Sequence, residues 1–167
     1  FDVCKMTNSK FLLDESDKEK LVNQYQYNSE TQKVEKCTQD NSFRIGTKYE
    51  SGGVGCASTV DDYIKFLEAV RTNKLLKSET VDLLSTNQLT KEQIDMPTYW
   101  VQNKRGYGLG QQCPTDDNSR PDFGWGGAAG AHYFIDRKNN ITAYFGTHVL
   151  GYDDFYQARE RITEIIQ

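Results

Sequence analysis

Apolar residues recur every three to four positions over 60–72, a spacing that predicts an amphipathic helix. Its apolar face is expected to consist of five residues: Val60, Tyr63, Phe66, Leu67 and Val70. Thr59 and Asp62 have the spacing of a capping box at the start of this helix, with a hydroxyl followed three residues later by a carboxylate. Asn73 favours a stop at the other end. This pattern is the most regular one in the chain.

Other helices are predicted mainly from their capping residues. Ser16 and Glu19 make a second capping box, which predicts a short helix that begins near Ser16. Ser78 is predicted to cap a further short helix, and one helical turn is expected after Thr90. A last helix is predicted to start at Asp153. Its apolar face is expected to consist of four residues: Phe155, Ala158, Ile162 and Ile165.

Alternation of apolar and polar residues predicts β-strands in most of the remaining chain. The strand-like stretches are, in order, 25–27, the surroundings of Val34, 107–111, 123–135 and 141–149. The stretch 123–135 is rich in Gly and aromatic residues and is predicted to form one central strand. The polar run 136–140 predicts a hairpin turn between the last two strands.

The order of these elements is helices first, then antiparallel strands, then a C-terminal helix. That order predicts an α+β fold, in which an antiparallel sheet packs against helices and the C-terminal helix lies on the sheet. At 167 residues, the whole chain 1–167 is expected to form a single region of one domain.

Composition narrows the class of protein. The chain has 10 Tyr, 8 Phe and 2 Trp, enough aromatic bulk to build a globular core. Its net charge is -4, and its basic residues form no continuous stripe along the sequence, so nucleic acid is not an expected partner. No apolar run approaches the ~20 residues that span a bilayer, so no membrane span is expected. We expect a soluble protein of bacterial type, and the sequence does not decide whether it is cytoplasmic or secreted.

No cofactor or metal is predicted. Four cysteines stand far apart without a C-x-x-C pair, and we expect free thiols: Cys4, Cys37, Cys56 and Cys113. His132 and His148 lack ligand spacing and are predicted to be structural. The Gly-rich run 52–55 has no following Lys-Ser/Thr and is therefore not a phosphate-binding P-loop.

Four segments occur in an order that resembles one enzyme family. Residues 50–63 contain a Gly-rich turn that leads through Ser-Thr into a helix, and residues 75–81 read Leu-Leu-Lys-Ser-Glu-Thr-Val. Residues 106–110 read Gly-Tyr-Gly-Leu-Gly, and residues 123–130 read Phe-Gly-Trp-Gly-Gly-Ala-Ala-Gly. Together they resemble the C-terminal portion of the serine β-lactamase-like family, which includes class C β-lactamases, penicillin-binding proteins and family VIII carboxylesterases. The resemblance implies a partial β-lactamase/transpeptidase-like fold.

The resemblance also implies which motifs to look for. This family uses a Ser-x-x-Lys for the nucleophile, a Tyr-x-Asn or Ser-x-Asn for a second general base, and a third motif on an edge strand. Here no Ser has Lys three residues later, and no Tyr has Asn two residues later. In the family both lie upstream of the matched region. We therefore expect the chain to be a truncated fragment that is inactive by itself.

The third motif is present in a form with Trp in first place, Trp125-Gly126-Gly127. By resemblance, the N–H of Ala128 would be an oxyanion-hole donor next to Gly127, and Gly126 would let the substrate approach the backbone. Trp125 would line the substrate pocket, and Tyr107 could line the same cleft. Trp cannot offer a charge to a substrate carboxylate as Lys does, which favours an esterase over a β-lactamase.

These observations predict a serine hydrolase fragment that acts on a small-molecule ester or amide through an acyl-enzyme. Two alternatives remain: a non-catalytic binding module, and a penicillin-binding or β-lactamase protein. Because uncovered sheet edges pair readily, the fragment is also expected to self-associate.

Overall fold

The computed structural model describes residues 1–37, 48–96, 105–116, 121–152 and 154–166. A 3₁₀ turn at Asp2–Cys4 precedes the first helix. The helices are α1 (Glu15–Lys18), α2 (Val60–Arg71), α3 (Ser78–Ser85), α4 (Lys91–Asp95) and α5 (Asp154–Ile166). The strands are β1 (Tyr25–Asn28), β2 (Lys33–Lys36), β3 (Gly106–Tyr107), β4 (Gln112–Cys113), β5 (Phe123–Gly126), β6 (His132–Asp136), β7 (Ile141–Phe145) and β8 (Val149–Leu150).

Helix α2 has nearly the predicted bounds, but Val60 of the predicted apolar face is 56% exposed, and the cap differs in one respect. The Thr59 hydroxyl accepts the Asp62 N–H as expected. The Asp62 carboxylate, however, accepts the Asn8 N–H at 2.7 Å and the Ser9 hydroxyl at 3.1 Å, and pairs with Lys65 at 2.7 Å. These bonds lower the pKa of Asp62, with the Lys65 bond as the largest cause. Asp62 is therefore a buried anchor that holds the N-terminal segment against α2.

Of the other predicted caps, two were wrong and one is confirmed. Helix α1 is capped by Asp14, whose carboxylate accepts the Asp17 N–H, while the Ser16 hydroxyl donates to Asp14. A carboxylate two residues earlier thus replaces the predicted Ser16 cap. Ser78 lies inside α3, and the preceding Lys77 makes no side-chain cap. The helical turn after Thr90 is confirmed and has a full capping box.

Two sheets are formed, and three predicted strands have different bounds. The five-stranded antiparallel sheet has the order β3-β4-β5-β6-β7, and the smaller sheet has the order β2-β1-β8. The predicted single strand 123–135 is a hairpin of β5 and β6, and 141–149 divides into β7 and β8, which join different sheets. The stretch 107–111 is mostly the turn between β3 and β4. The hairpin turn at 136–140 and the strands at Tyr25 and Val34 are confirmed.

Helices pack on both faces of the large sheet. One face carries Phe123 and Ile135, which form a core with Leu67 and Val70 of α2 and Val81 of α3. Because side chains alternate along a strand, Trp125 and Tyr133 share the face of Phe123 and Ile135, whereas His132 and Phe134 of β6 point to the opposite face. There, His132 of β6 reaches Thr163 of α5. The α+β prediction, with a C-terminal helix on the sheet, is confirmed.

The buried face of α5 differs from the predicted one. Arg159 and Thr163 are buried against the sheet, whereas Ile165 is 74% exposed. Ala158 and Ile162 are half-buried. The predicted cap Asp153 and the Phe155 side chain lie outside the described part of the chain. A polar pair at positions 159 and 163 is therefore buried beside the predicted apolar positions 158 and 162.

Candidate functional site

The connection between β5 and β6 is a tight, Gly-rich loop. The Gly127 N–H donates to the Ala131 carbonyl at 2.8 Å, and the Gly130 N–H donates to the Gly127 carbonyl at 3.1 Å. Gly130 has a φ of 88°, in the left-handed region that favours glycine. The local sequence thus explains why one Gly-rich stretch folds as a hairpin.

Ala128 lies exposed at this turn. Its N–H donates to no residue that the structure describes. Strand β4 pairs with β5 only at Gly124, so β4 leaves the end of β5 uncovered on that side. Among the residues that the structure describes, none accepts the Ala128 N–H, which leaves it available to a ligand.

The loop is fastened on both sides of Ala128. The Ala129 carbonyl accepts the Val149 N–H at 3.1 Å and the Thr147 hydroxyl at 2.9 Å. On the other side, Arg159 Nη2 donates to the Gly127 carbonyl at 2.5 Å. The Ala128 N–H thus belongs to one anchored peptide group and is followed by a second, an arrangement that limits its conformational freedom.

Gly126 has a packing reason to be glycine. A Cβ at this position would overlap Arg159 Nη1. The buried guanidinium of α5 therefore fills the space beside β5 that a side chain would need.

His132 supports the same strand from the adjacent β6. Its Nδ1 lies 3.2 Å from the Trp125 carbonyl, and since a carbonyl only accepts, Nδ1 carries the proton. Its Nε2 lies 3.3 Å from the Thr163 hydroxyl. Burial, followed by the charge of Arg159, lowers the pKa of His132 to about 4. His132 is thus neutral near pH 7 and has a structural role, as predicted.

Trp125 and Tyr107 meet as aromatic neighbours. Their ring centroids lie 5.8 Å apart at an angle of 75°, an edge-to-face contact. Asn87 holds Tyr107 in place, because its Oδ1 accepts the Tyr107 N–H at 3.1 Å. A Cβ on Gly106 would overlap the same Asn87 side chain.

The five sequence-predicted site residues are therefore neighbours in the structure. Trp125, Gly126, Gly127 and Ala128 are consecutive, and Tyr107 contacts the Trp125 ring. Together they provide a backbone N–H that no described residue accepts and a pair of contacting aromatic rings on the strand that leads to it.

Sequence reasoning missed two residues of this region. Arg159 was overlooked because a charged residue on an amphipathic helix is usually assigned to the solvent face, and Asn87 because it lies in an irregular stretch. The spacing Ser85-Thr86-Asn87 also fits Ser-x-Asn. In the structure, however, the Ser85 hydroxyl accepts Arg137 Nη2 and donates to the Asp82 carbonyl, so it serves packing.

This combination defines a class of protein. An antiparallel five-stranded sheet with helices on both faces, and a Gly-rich hairpin at a strand end, is the architecture of serine β-lactamase-like domains. A family model named Beta-lactamase matches residues 1–166, and the chain belongs to this family. Members of the family are serine hydrolases and acyltransferases that act on small-molecule substrates.

Solved structures agree with the fold. The unliganded selenomethionyl form of simvastatin synthase (LovD) from Aspergillus terreus aligns with a TM-score of 0.80 at 18% identity, covering 99% of this chain and 47% of that one. The LovD6 mutant of the same enzyme aligns with a TM-score of 0.78 at 20% identity, covering 97% and 46%. The chain thus spans somewhat under half the length of these proteins.

No curated protein sequence matches the chain. Among the helices of the described ranges, none is both long and apolar enough to cross a membrane. Within those ranges, no group of three or more His, Cys, Asp or Glu side chains could hold a metal ion.

Proposed function

We propose that the single region 1–167 contributes the oxyanion-side strand of a serine acyl-hydrolase, whose nucleophile comes from a segment outside this chain. The observation that carries the proposal is the Ala128 N–H just after β5, whose peptide group is anchored through the Gly127 carbonyl and which no described residue accepts. Backbone donors of this kind stabilise the oxyanion of acyl transfer in a fixed geometry. The chain contains no Ser-x-x-Lys, so its isolated form is expected to be inactive.

In this proposal, the chemistry is a two-step acyl transfer. A serine hydroxyl outside the chain attacks the substrate carbonyl, and its proton passes through a general base to the departing alcohol. The carbonyl oxygen becomes an anion that accepts the Ala128 N–H. Collapse breaks the ester C–O bond, and water then hydrolyses the acyl-serine, which regenerates the hydroxyl.

Trp125 favours esters over β-lactams as substrates. Its indole offers no positive charge for the carboxylate that a β-lactam carries, and it packs edge-on against Tyr107. The two rings would line a pocket suited to an apolar acyl or alcohol group. The alternative enzyme function is that of a penicillin-binding protein or β-lactamase. The alternative that involves no catalysis is a binding module.

Substrate preference tests this part of the proposal. We expect the whole protein, meaning the natural polypeptide that contains this chain, to hydrolyse p-nitrophenyl esters with a higher kcat/KM than nitrocefin. The variant Trp125→Lys is expected to shift the ratio towards nitrocefin by about 10-fold, as one charge-assisted contact is worth roughly 1.5–3 kcal/mol. Trp125→Phe, which adds no charge, is the control. Faster turnover of nitrocefin by the unaltered protein would favour the β-lactamase reading, and no turnover of either would favour the binding module.

We also propose that the 167-residue chain self-associates through the edge of β7. Strand β7 ends the five-stranded sheet and has the uncharged sequence Ile-Thr-Ala-Tyr-Phe. Uncharged edge strands of this length pair readily with other strands, whereas the edge strand β2 carries three charges in four residues.

Light scattering on the chain tests this. We expect mass to rise with concentration, and the variant Ile141→Lys to lower the association while Val34→Lys on β2 leaves it unchanged. A monomer at high concentration, or equal effects of the two variants, would count against pairing at β7.

A further inference from the structure

The Gly127 carbonyl and the Ala128 N–H belong to the same peptide group. A trans peptide is planar, so its C=O and N–H point in opposite directions. Any group that fixes the Gly127 oxygen therefore also fixes the direction of the Ala128 N–H. The contacts of this one oxygen decide where the accessible donor points.

Two donors hold that oxygen. The Gly130 N–H donates at 3.1 Å from within the turn, and Arg159 Nη2 donates at 2.5 Å from α5. The first contact is local and would move with the turn. The second ties the turn to a separate layer of the fold, so it sets the position of the peptide relative to the sheet and helix.

Arg159 is itself held in place. It is only 8% exposed, so its side chain is enclosed between α5 and the sheet. Gly126 leaves the space that the guanidinium occupies, since a Cβ there would overlap Nη1. A buried cation is costly to place and is normally paired or hydrogen-bonded, so its donation to this carbonyl constrains both partners.

A cation at the carbonyl end also polarises the peptide. Hydrogen bonds strengthen one another when they share a peptide group, because donation to the oxygen draws charge from the nitrogen side. The guanidinium thus acts on the Ala128 N–H in two ways, through its direction and through its strength as a donor.

We propose that Arg159 is a positioning residue that aims the Ala128 N–H through the Gly127 carbonyl. This rests on the proposed function for its catalytic meaning, because the donor contacts substrate and Arg159 does not. The geometric part, that Arg159 orders this peptide, stands independently of any activity.

The first experiment observes the peptide directly in the whole protein. Labelling with 1-¹³C-glycine and ¹⁵N-alanine selects peptide groups in which Ala follows Gly. This chain contains two, Gly127-Ala128 and Gly130-Ala131. The variant Ala128→Ser identifies the resonance of interest by removing it. We expect Arg159→Ala to shift the Gly127 carbonyl and Ala128 amide signals, and Arg161→Ala, an exposed arginine on the same helix, to leave them in place.

The second experiment measures ester hydrolysis by the same variants. A misdirected oxyanion donor weakens the transition state more than substrate binding, so kcat should fall and KM should change little. Complete loss of one donor costs about 10²–10³-fold, so Arg159→Ala is expected to lower kcat by about 10- to 100-fold. Arg159→Lys, which keeps a donor and a charge, should recover part of the loss, and Arg161→Ala should retain full activity.

A stability cycle keeps the inference testable if Arg159→Ala folds poorly. Gly126→Ala should destabilise the protein by displacing the guanidinium. It should cost less in the Arg159→Lys background, where the overlapping Nη1 is absent. Additive effects would show that the contact between residues 126 and 159 is not formed.

The outcomes separate the inference from the proposed function. Unshifted signals in Arg159→Ala, or a loss that appears only in KM, would overturn the positioning role. If the unaltered protein hydrolyses no ester while the signals still shift in Arg159→Ala, the proposed function has failed and the geometric inference is supported.

Discussion

Exchange of Ala128 for lactic acid, which replaces one backbone N–H with an ester oxygen, is expected to lower kcat for ester hydrolysis by about 10²–10³-fold. The change removes the proposed oxyanion donor and leaves the side chain intact. The bond to the oxyanion forms fully only in the transition state, so KM should change little. Steady-state kinetics of the whole protein, with the hydroxy acid introduced by nonsense suppression, provide the measurement.

Ala128→Ser is the matched control for this exchange. It alters an exposed side chain and keeps the N–H, so activity within a few-fold of the unaltered protein is expected. If the lactic acid variant kept its full kcat, the Ala128 N–H would have no part in catalysis, and the third-motif resemblance would describe packing alone.

The second large effect concerns stability. Arg137 Nε donates to Asp122 at 3.1 Å, and its Nη1 and Nη2 donate to Asp82 and Ser85 of α3 at 2.6 and 2.9 Å. Asp122 is only 5% exposed and directly precedes β5. Removing the guanidinium takes the ion pair away from the buried Asp122 carboxylate, which keeps the N–H of residue 137 as a donor at 2.7 Å. Arg137→Met is therefore expected to lower the free energy of unfolding by about 3 kcal/mol, the lower end of the range for such pairs because Arg137 is partly exposed.

Lys138→Met is the control for Arg137→Met. It lies next in the same turn, is exposed, and is expected to change stability by less than about 0.5 kcal/mol. Urea denaturation of both variants gives the comparison. Equal stability of the two would mean that the turn 136–140 is not fastened to α3 as the structure indicates. Adding Asp122→Asn to Arg137→Met should recover part of the loss, because the buried carboxylate charge that had lost its guanidinium is then gone.

Elements with strong local signals were predictable from the sequence. Helix α2 combines a regular apolar face with the Thr59 cap and the stop at Asn73. Each of these signals depends only on residues that are close together in the sequence. The error at α1 arose because Asp14 and Ser16 are both good caps, and the sequence does not say which one takes the first N–H groups. The hairpin of β5 and β6 was read as one strand because glycines carry no side-chain alternation.

The candidate site was predictable only in part. The run 125–128 could be found because the family motif is contiguous. Arg159 lies 32 residues from Gly127, and only the packing of α5 against the sheet brings them together. Its neighbours in the sequence suggest a solvent-facing residue. The reason for a glycine at position 126 is visible only in the structure, where the guanidinium occupies the space of a Cβ. Contacts between layers of this kind leave no local pattern.

The central claim is that this chain supplies the oxyanion side of a site whose nucleophile lies elsewhere. A fluorophosphonate probe on the whole protein, followed by peptide mass spectrometry, tests it most directly. We expect one stoichiometrically labelled serine outside residues 1–167, and no labelling of the isolated 167-residue chain. Stoichiometric labelling of a serine within Phe1–Gln167 would contradict the account.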